Sequence, residues 1–243
     1  MLKEIIDQFY RESHKDFPQT HFYVSDAGKC PRYIFFKFKQ APRRDYKPRI
    51  LRLFDHGDAI HRMITKALSD QGILRGEEVT VPSPDFISGR ADAIIKIGNE
   101  RYVVDIKSMN SHIFRKLKEP RKTYRYQLQL YLHFLEIKRG ILLYVNKNTQ
   151  ALKERYIEYD PELCENLLDS FKDLKKKIEK DIVPPRLDHW PSNKQCRYCR
   201  FKEVCSMIGE GELPWADFKE KIQTQAENIK NGKTQENLFS KSE

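Results

Sequence analysis

The spacing of apolar residues changes between residues 49 and 108, and this change constrains the fold more than any other feature of the sequence. Residues 49–70 carry apolar side chains at the period of an α-helix. From residue 77 onward, apolar side chains recur at nearly every second position, as they do in strands. Three strands are predicted on this pattern, at 77–81, 87–97 and 101–108. The Gly98-Asn99 pair between the last two favours a tight hairpin, so antiparallel strands should follow a long helix.

The remainder of the chain adds helices, one further strand and a polar end. Helical periodicity predicts helices at 1–15, 122–138 and 161–181. Residues 140–147 are almost wholly apolar, which is typical of a strand in a sheet covered on both faces. We therefore predict one mixed α/β domain over residues 1–212, with its core at about 49–160. A helix and a disordered tail are expected to follow at 213–243.

Composition and charge narrow the class of protein. The longest apolar runs, such as Ile141–Val145, are far too short to cross a bilayer, and the charges within residues 1–15 argue against a signal peptide. We therefore expect a cytoplasmic protein without a membrane partner, in which the five cysteines are free thiols, metal ligands or redox groups. Lysine and arginine outnumber aspartate and glutamate by 45 to 35, a net charge of +10. That balance favours a polyanionic partner, most often nucleic acid, although many basic proteins have none.

An acidic residue in an apolar strand poses a physical problem. Asp105 lies among valines and an isoleucine in the strand after the hairpin, where an isolated carboxylate is costly or takes up a proton. Lys107 shares its face, and hairpin pairing brings Asp92 of the preceding strand alongside. Two carboxylates at one site repel each other unless a cation lies between them, and a divalent metal is the usual solution. The alternative is an ion pair without chemistry, Asp105–Lys107 or Asp92–Arg90.

In this acid pair the sequence resembles the PD-(D/E)XK nucleases, and most closely their RecB-like branch. GRAD at 89–92 resembles the first acidic motif of the family, and DIK at 105–107 resembles the second. Gln127 and Tyr131, four residues apart on one helix face, resemble the Gln-x-x-x-Tyr motif of the branch. His61 resembles the histidine of its upstream helix. Two features depart from the pattern: the literal Pro-Asp dipeptide is absent, and the second acid is aspartate rather than glutamate.

The resemblance covers nearly residues 22–206 and implies a restriction-endonuclease-like α/β core, with a mixed central sheet flanked by helices. It implies a hydrolase that cleaves DNA with Mg²⁺ or Mn²⁺, most often as an exonuclease on single-stranded ends. The roles it implies are metal ligation by His61, Asp92, Asp105 and the Ile106 carbonyl, water positioning by Lys107, and support of Lys107 or the DNA backbone by Gln127 and Tyr131. Taken alone, an inward histidine and a Gln–Tyr pair are ordinary packing. Either Glu77 or Glu78 can supply the further acid that some members use.

Four of the five cysteines fall into a divided pattern. Cys196, Cys199 and Cys205 lie close together near the carboxyl end, and Cys30 lies far upstream. Four thiolates suit zinc or an iron–sulfur cluster, and a zinc ribbon normally uses two local pairs. The split resembles the iron–sulfur staple of AddB-type and CRISPR-associated exonucleases in the same branch. That resemblance implies a 4Fe–4S cluster that joins the N- and C-terminal parts of the chain through Cys30 and the segment 190–206.

The remaining signals concern partners. Basic residues interleaved with aromatic ones at 43–49 and 115–125 suit single-stranded nucleic acid, and a solvated surface is the alternative. The tail residues Gln235, Leu238 and Phe239 resemble the peptide by which bacterial proteins bind the sliding clamp. The chain lacks a true phosphate-loop motif, so any helicase activity has to come from a partner. Two alternatives to a free exonuclease in DNA repair, recombination, replication or phage DNA processing remain: a CRISPR-adaptation nuclease subunit acting with an integrase, and a nuclease-fold DNA-binding subunit.

Overall fold

The computed structural model describes residues 1–230, and contacts divide the chain into two compact units. The first unit comprises residues 1–28 and 46–170, and the second comprises residues 29–45 and the described residues from 171 onward. Each unit is therefore built from two separate stretches of sequence. No helix in this range combines the length and the apolar character that a membrane crossing requires. The tail residues Gln235, Leu238 and Phe239 lie outside the described residues.

Nine α-helices, one 3-10 helix at Val24–Asp26 and nine strands are found within residues 1–230. The helices are α1 Leu2–Ser13, α2 Pro31–Phe38, α3 Pro48–Asp70, α4 Ser111–Lys116, α5 Lys122–Phe134, α6 Pro161–Glu179, α7 Lys194–Arg197, α8 Lys202–Met207 and α9 Ala216–Lys230. The strands are β1 Phe22–Tyr23, β2 Leu74–Thr80, β3 Ile87–Ser88, β4 Arg90–Ile97, β5 Glu100–Met109, β6 Arg139–Asn146, β7 Leu152–Glu158, β8 Ile182–Val183 and β9 Leu213–Pro214. The long helix predicted at 49–70 and the strands predicted at 101–108 and 140–147 are confirmed as α3, β5 and β6.

Five strands of the first unit form one mixed sheet, in the order β2-β4-β5-β6-β7. Neighbouring strands are antiparallel except for β5 and β6, which run parallel. The hairpin predicted at Gly98-Asn99 is confirmed, since it joins the antiparallel pair β4 and β5. The ladder of that hairpin ends at Ala93 and Val104. Beyond these residues β4 continues beside β2, and β5 continues beside β6, so the centre of the sheet opens into a fork.

The two faces of this sheet carry different chemistry. On one face, the apolar side of α3 packs against buried aliphatic side chains of β4, β5 and β6. Ala93, Val104 and Ile106 belong to that aliphatic cluster. Because side chains alternate along a strand, the adjacent Asp92 and Asp105 point to the other face. Helix α5 packs closely on that second face, where a Cβ added at Gly140 would lie 2.8 Å from the Leu128 side chain. A glycine in β6 therefore lets α5 approach the acidic side of the sheet.

The second unit has an aromatic core of its own. Phe35, Phe36, Phe201 and Trp215 are buried, and their ring centroids lie 5.6–6.1 Å apart. Arg32 is also fully buried, and its guanidinium donates hydrogen bonds to four backbone carbonyls of later segments of the chain. A buried charge is tolerated only with such partners, so these bonds fix the later segments against α2.

The structure differs from the sequence-based prediction at three places. Strand β7 lies outside every predicted strand and forms an edge of the sheet. The strand predicted at 87–97 is broken at Gly89, where an added Cβ would lie 2.5 Å from Val24, and the piece before the break pairs with β1 instead of the main sheet. The helix predicted at 122–138 ends early, because Glu136 adopts a left-handed φ of +53°.

Candidate active site

The two acidic residues singled out in the sequence lie at the fork of the sheet, one on each side. Asp92 is the first residue of β4 beyond the ladder, and Asp105 holds the corresponding position in β5. The Oδ2 atom of Asp92 accepts a hydrogen bond from the backbone N–H of Ile106 at 2.7 Å. The side chain thereby binds the backbone of β5 at the point where the two strands separate. This bond fixes the Asp92 carboxylate next to Asp105.

Asp105 is fully buried, and its surroundings make the ionised form costly. Its Oδ1 atom accepts a hydrogen bond from Lys107 Nζ at 2.8 Å, whereas Oδ2 is enclosed and has no hydrogen-bond partner in the protein. Burial, reinforced by the charge of Asp92 and opposed by Lys107, raises the pKa of Asp105 to about 6. Lys107 alone therefore does not balance the two carboxylates. A further cation that prefers oxygen ligands fits this donor set.

Lys107 lies between Asp105 and an aromatic ring of α5. Its ammonium group is 5.2 Å from the ring centroid of Tyr124, and the guanidinium of Arg121 is 5.6 Å from the same centroid. Burial opposes the charge of Lys107, but the carboxylates of Asp105 and Asp92 outweigh it and raise its pKa. Lys107 is thus a cation that donates hydrogen bonds. The Asp105–Lys107 ion pair considered from the sequence is present, and it lies beside a basic, aromatic surface.

A histidine and a glutamate approach Asp92 from neighbouring elements. His61 of α3 places Nδ1 3.6 Å from Asp92 Oδ2. One ligand atom each from His61, Glu78 and Asp92 lie within 4.8 Å of one another. An imidazole with carboxylates is a common ligand set for Mn²⁺-like ions. Arg90 forms its ion pair with Glu78, whereas the sequence had raised Asp92 as its partner.

The structure separates the two glutamates that the sequence left open. Glu78 lies at the fork, and its backbone has a φ of +52°, a conformation that few residues other than glycine adopt. Glu77 instead accepts a hydrogen bond at 2.7 Å from the hydroxyl of Thr65 in α3. Glu78 is therefore the acid that the fold brings to His61 and Asp92. Thr65 is a partner that the sequence pattern did not reveal.

The Gln–Tyr pair of α5 contacts the strand that carries Asp92. Gln127 Nε2 donates to the hydroxyl of Tyr131 at 3.1 Å, and that hydroxyl donates to the backbone carbonyl of Arg90 at 2.8 Å. Burial raises the pKa of Tyr131, so its hydroxyl keeps its proton and remains a donor. The sequence led us to expect support of Lys107 or of the DNA backbone. In the structure, the hydrogen bonds of the pair lead to the segment of β4 that precedes Asp92.

The four cysteines of the divided pattern come together in the second unit. Cys30, Cys196, Cys199 and Cys205 line one cavity of about 240 Å³, and all four are free thiols. Burial raises the pKa of Cys30 and Cys196, and it raises the pKa of Cys199 to about 11. The cavity is also lined by basic side chains, namely Lys29, Arg32, Arg186 and Lys202. An enclosed set of four thiols among cations fits an anionic metal–thiolate group.

The sequence pattern did not single out one further residue on the acidic face of the sheet. Tyr144 of β6 pairs with Lys107 of β5, and paired residues of neighbouring strands point to the same face. Its ring centroid lies 6.5 Å from that of Tyr124. A phenol in an otherwise apolar strand is a recognisable signal. Its position next to Lys107 depends on the register of two strands that a long crossover separates, and the pattern does not contain that register.

Comparison with known proteins points to one family. The PD-(D/E)XK nuclease superfamily matches residues 30–206. The CRISPR-associated exonuclease Cas4 of Saccharolobus solfataricus is 29% identical over 198 residues, covering 77% of this chain and 88% of that protein. The crystal structure of SSO0001 has a TM-score of 0.56 at 23% identity, covering 85% of this chain and 97% of the other, which shows a shared fold. A phage-related exonuclease from Haemophilus somnus has a TM-score of 0.49 at 13% identity, covering 70% and 96% of the two chains.

Proposed function

Because this chain belongs to the PD-(D/E)XK nuclease superfamily, we propose that it is a metal-dependent deoxyribonuclease whose active site is the fork between β4 and β5. One observation carries the proposal. Asp92, Asp105 and Lys107 converge at the fork, and one oxygen of the buried Asp105 has no partner in the protein. A divalent cation would satisfy that oxygen and relieve the repulsion between the carboxylates.

The residues around the fork would hold one such cation. Asp92, Asp105, the Ile106 carbonyl and His61 are the proposed ligands, and the position of Glu78 adds a fifth. Oxygen donors with a single imidazole suit Mg²⁺ or Mn²⁺. When bound, the ion supplies neutralisation of phosphate charge and acidification of a water molecule.

The chain's own side chains then orient the reactants. Lys107, held by Asp105, donates a hydrogen bond to the attacking water or to a phosphate oxygen. Tyr131 keeps the segment of β4 before Asp92 in place through the Arg90 carbonyl. The Tyr124 ring and the neighbouring Arg121 offer a base-stacking surface and a cation to the DNA strand. Phosphodiester hydrolysis in this arrangement depends mainly on positioning and on electrostatic stabilisation.

We further propose exonuclease action on single-stranded ends, in the cytoplasm and in DNA repair, recombination, replication or phage DNA processing. The name of the Cas4 relative, which describes an exonuclease, supports the mode of action. The net charge of +10 supports a polyanionic substrate. The aromatic and basic residues beside Lys107 favour a strand with accessible bases.

The test is degradation of end-labelled single-stranded DNA with Mg²⁺ or Mn²⁺, with single-stranded circles as substrates that lack ends. Asp105→Ala removes the proposed site, and Asp70→Ala at the exposed end of α3 is the matched control. We expect linear DNA to be degraded, circles to survive, and Asp105→Ala alone to abolish cleavage. Cut circles would indicate an endonuclease. If the wild-type protein binds DNA but leaves it intact with either metal, the proposal of an enzyme fails. The chain would then be a nuclease-fold DNA-binding subunit.

For the cysteines we propose a 4Fe–4S cluster as the resident group. The four cysteines line one cavity, and one of them comes from far upstream in the chain. A zinc ribbon normally uses two local pairs of ligands, so this divided pattern supports the cluster. Arg32 Nη1 approaches Cys205 Sγ at 3.7 Å and adds a positive charge that an anionic cluster requires. Such a cluster would link Cys30 of the earlier stretch to the later stretch of the second unit.

Metal analysis of protein purified without oxygen tests the cluster. We expect about four irons and four sulfides per chain. Cys199→Ser should lose them, whereas Cys164→Ala, a cysteine of the first unit outside the set, should keep them. One zinc per chain without sulfide would establish the zinc alternative.

The Cas4 relative also favours a second candidate function, that of a nuclease subunit in CRISPR adaptation. Such a subunit would act with an integrase, so co-purification with that partner from the native host is the discriminating observation. A free exonuclease would instead elute alone. Deletion of residues 235–239 tests the proposed clamp contact separately, through binding of the sliding clamp.

A further inference from the structure

Two buried polar atoms in the first unit have no hydrogen-bond partner in the protein and belong to the same face of the sheet. They are Oδ2 of Asp105 and the hydroxyl of Tyr144, and both side chains are fully buried. Native proteins satisfy nearly all such groups, with protein, water or a ligand, because an unmet hydrogen bond in the interior is costly. Two such atoms beside one site call for a common explanation.

The register of the sheet brings these two groups together. In the parallel pair of β5 and β6, Asp105 pairs with Leu142, and Lys107 pairs with Tyr144. Tyr144 therefore lies one alternation farther along the same face as Asp105. Burial and, after it, the charge of Asp105 raise the pKa of Tyr144, so the phenol keeps its proton and can donate.

The arginines near Tyr144 cannot accept a hydrogen bond from its hydroxyl. Arg121 and Arg155 both act electrostatically on the phenol, and a guanidinium has donors only. Arg155 already donates to the backbone carbonyls of Glu154 and Lys118. Asp105 and the Tyr124 hydroxyl can accept hydrogen bonds, and Tyr144 is bonded directly to neither. Of the two, Asp105 carries the oxygen that lacks a partner. Each carboxylate oxygen has two lone pairs, so Oδ2 can accept a hydrogen bond and still bind a cation.

We propose that Tyr144 is a positioning residue of the metal site, donating through one enclosed water to the Asp105 oxygen that Lys107 does not hold. Lys107 and Tyr144 then restrain both oxygens of the carboxylate and fix its orientation. A metal ligand whose remaining lone pairs are hydrogen-bonded keeps its orientation and binds the ion more tightly. The inference rests on the proposed function, because it assigns Tyr144 to the same site.

Tyr144→Phe removes the hydroxyl and keeps the ring, so it isolates this role. Tyr102→Phe is the matched control, because Tyr102 lies in β5 but packs with the aliphatic cluster on the other face. Binding of Mn²⁺ is measured from the paramagnetic resonance signal of the free ion. We expect Tyr144→Phe to weaken Mn²⁺ binding about tenfold and Tyr102→Phe to change it less than about twofold. Metal-free Tyr144→Phe should keep the circular dichroism spectrum of the wild type, since the substitution retains the buried ring.

Cleavage at varied Mn²⁺ concentration separates a metal-site role from a general defect. The half-saturating Mn²⁺ concentration of Tyr144→Phe should rise by the same factor, and excess Mn²⁺ should restore the maximal rate. Unchanged Mn²⁺ affinity in Tyr144→Phe, with or without a lower maximal rate, would overturn the role of Tyr144 alone. Wild-type protein that neither binds Mn²⁺ nor cleaves DNA would overturn the proposed function, and the inference with it.

Discussion

Glu77 and Glu78 are adjacent in β2, yet they contact different partners. Glu78 lies with His61 and Asp92, and Glu77 accepts a hydrogen bond from Thr65. Glu78→Gln removes a proposed anionic ligand and leaves Arg90 unneutralised beside the site. We expect it to weaken Mn²⁺ binding about tenfold, which corresponds to about 1.4 kcal/mol, whereas Glu77→Gln should leave binding unchanged. Calorimetric titration of both variants gives the comparison, and equal affinities would exclude Glu78 as a ligand.

Asp105 makes the stability of the metal-free protein depend on pH. Its pKa is raised from the ordinary 3.8 to about 6, so between these values the native state binds more protons than the unfolded state. The free energy of unfolding should therefore fall as pH rises from about 4 to about 6, relative to that of Asp105→Asn. Thermal melting of both proteins in a chelator measures this difference. A difference that stays flat or rises over this window would contradict the assigned pKa.

Single residues also show how far the sequence alone reaches. The proximity of Asp92, Asp105 and Lys107 can be predicted from strand alternation across a hairpin, because the two strands are adjacent in sequence. The hydrogen bond from Tyr131 to the Arg90 carbonyl does not follow from any local pattern. It depends on how α5 lies against β4, and only the folded structure contains that relation.

At the scale of elements, the close approach of α5 to β6 makes a second stability prediction. A Cβ at position 140 would lie 2.8–2.9 Å from three carbons of Leu128, so Gly140→Ala forces the helix away from the sheet. We expect a loss of about 1–3 kcal/mol, together with lower activity, because α5 carries Gln127 and Tyr131. Gly211→Ala, whose added Cβ meets nothing within 4 Å, is the matched control. Chemical denaturation of both variants measures their stability. Equal denaturation midpoints would contradict the prediction.

Some elements have a clear local periodicity of apolar residues, whereas others are defined only by the neighbouring elements with which they pair. Helix α3 and strands β4, β5 and β6 have apolar patterns that fit their burial, and their existence is predictable. Strand β7 exposes alternate side chains at the edge of the sheet and carries charged residues on both faces, so its period is weak. The parallel order of β5 and β6 is equally absent from local pattern, because α4 and α5 intervene between them.

At the scale of the whole molecule, the two proposed centres belong to different units. Asp92, Asp105 and Lys107 lie in the first unit, and the four cysteines lie in the second. Both sets of residues were predicted from the sequence. The sequence also predicted a single domain over 1–212, and that boundary stays a prediction. Residues 29–45 belong to the second unit, together with the residues from 171 onward. No change in composition marks the boundaries of this segment in the sequence. Cys30 is the one local sign of it, because its proposed partners all lie far downstream.

The net charge of +10 makes a prediction for the intact chain. Binding of single-stranded DNA releases counterions from each phosphate that lysine or arginine neutralises. With about five neutralised phosphates, the logarithm of the affinity should fall with a slope of about −3.5, or about a hundredfold between 50 and 200 mM salt. Fluorescence anisotropy with the cleavage-deficient Asp105→Ala variant measures binding without degradation. A slope near zero would mean that the basic surface does not contact the DNA backbone, and aromatic stacking would then have to supply the affinity.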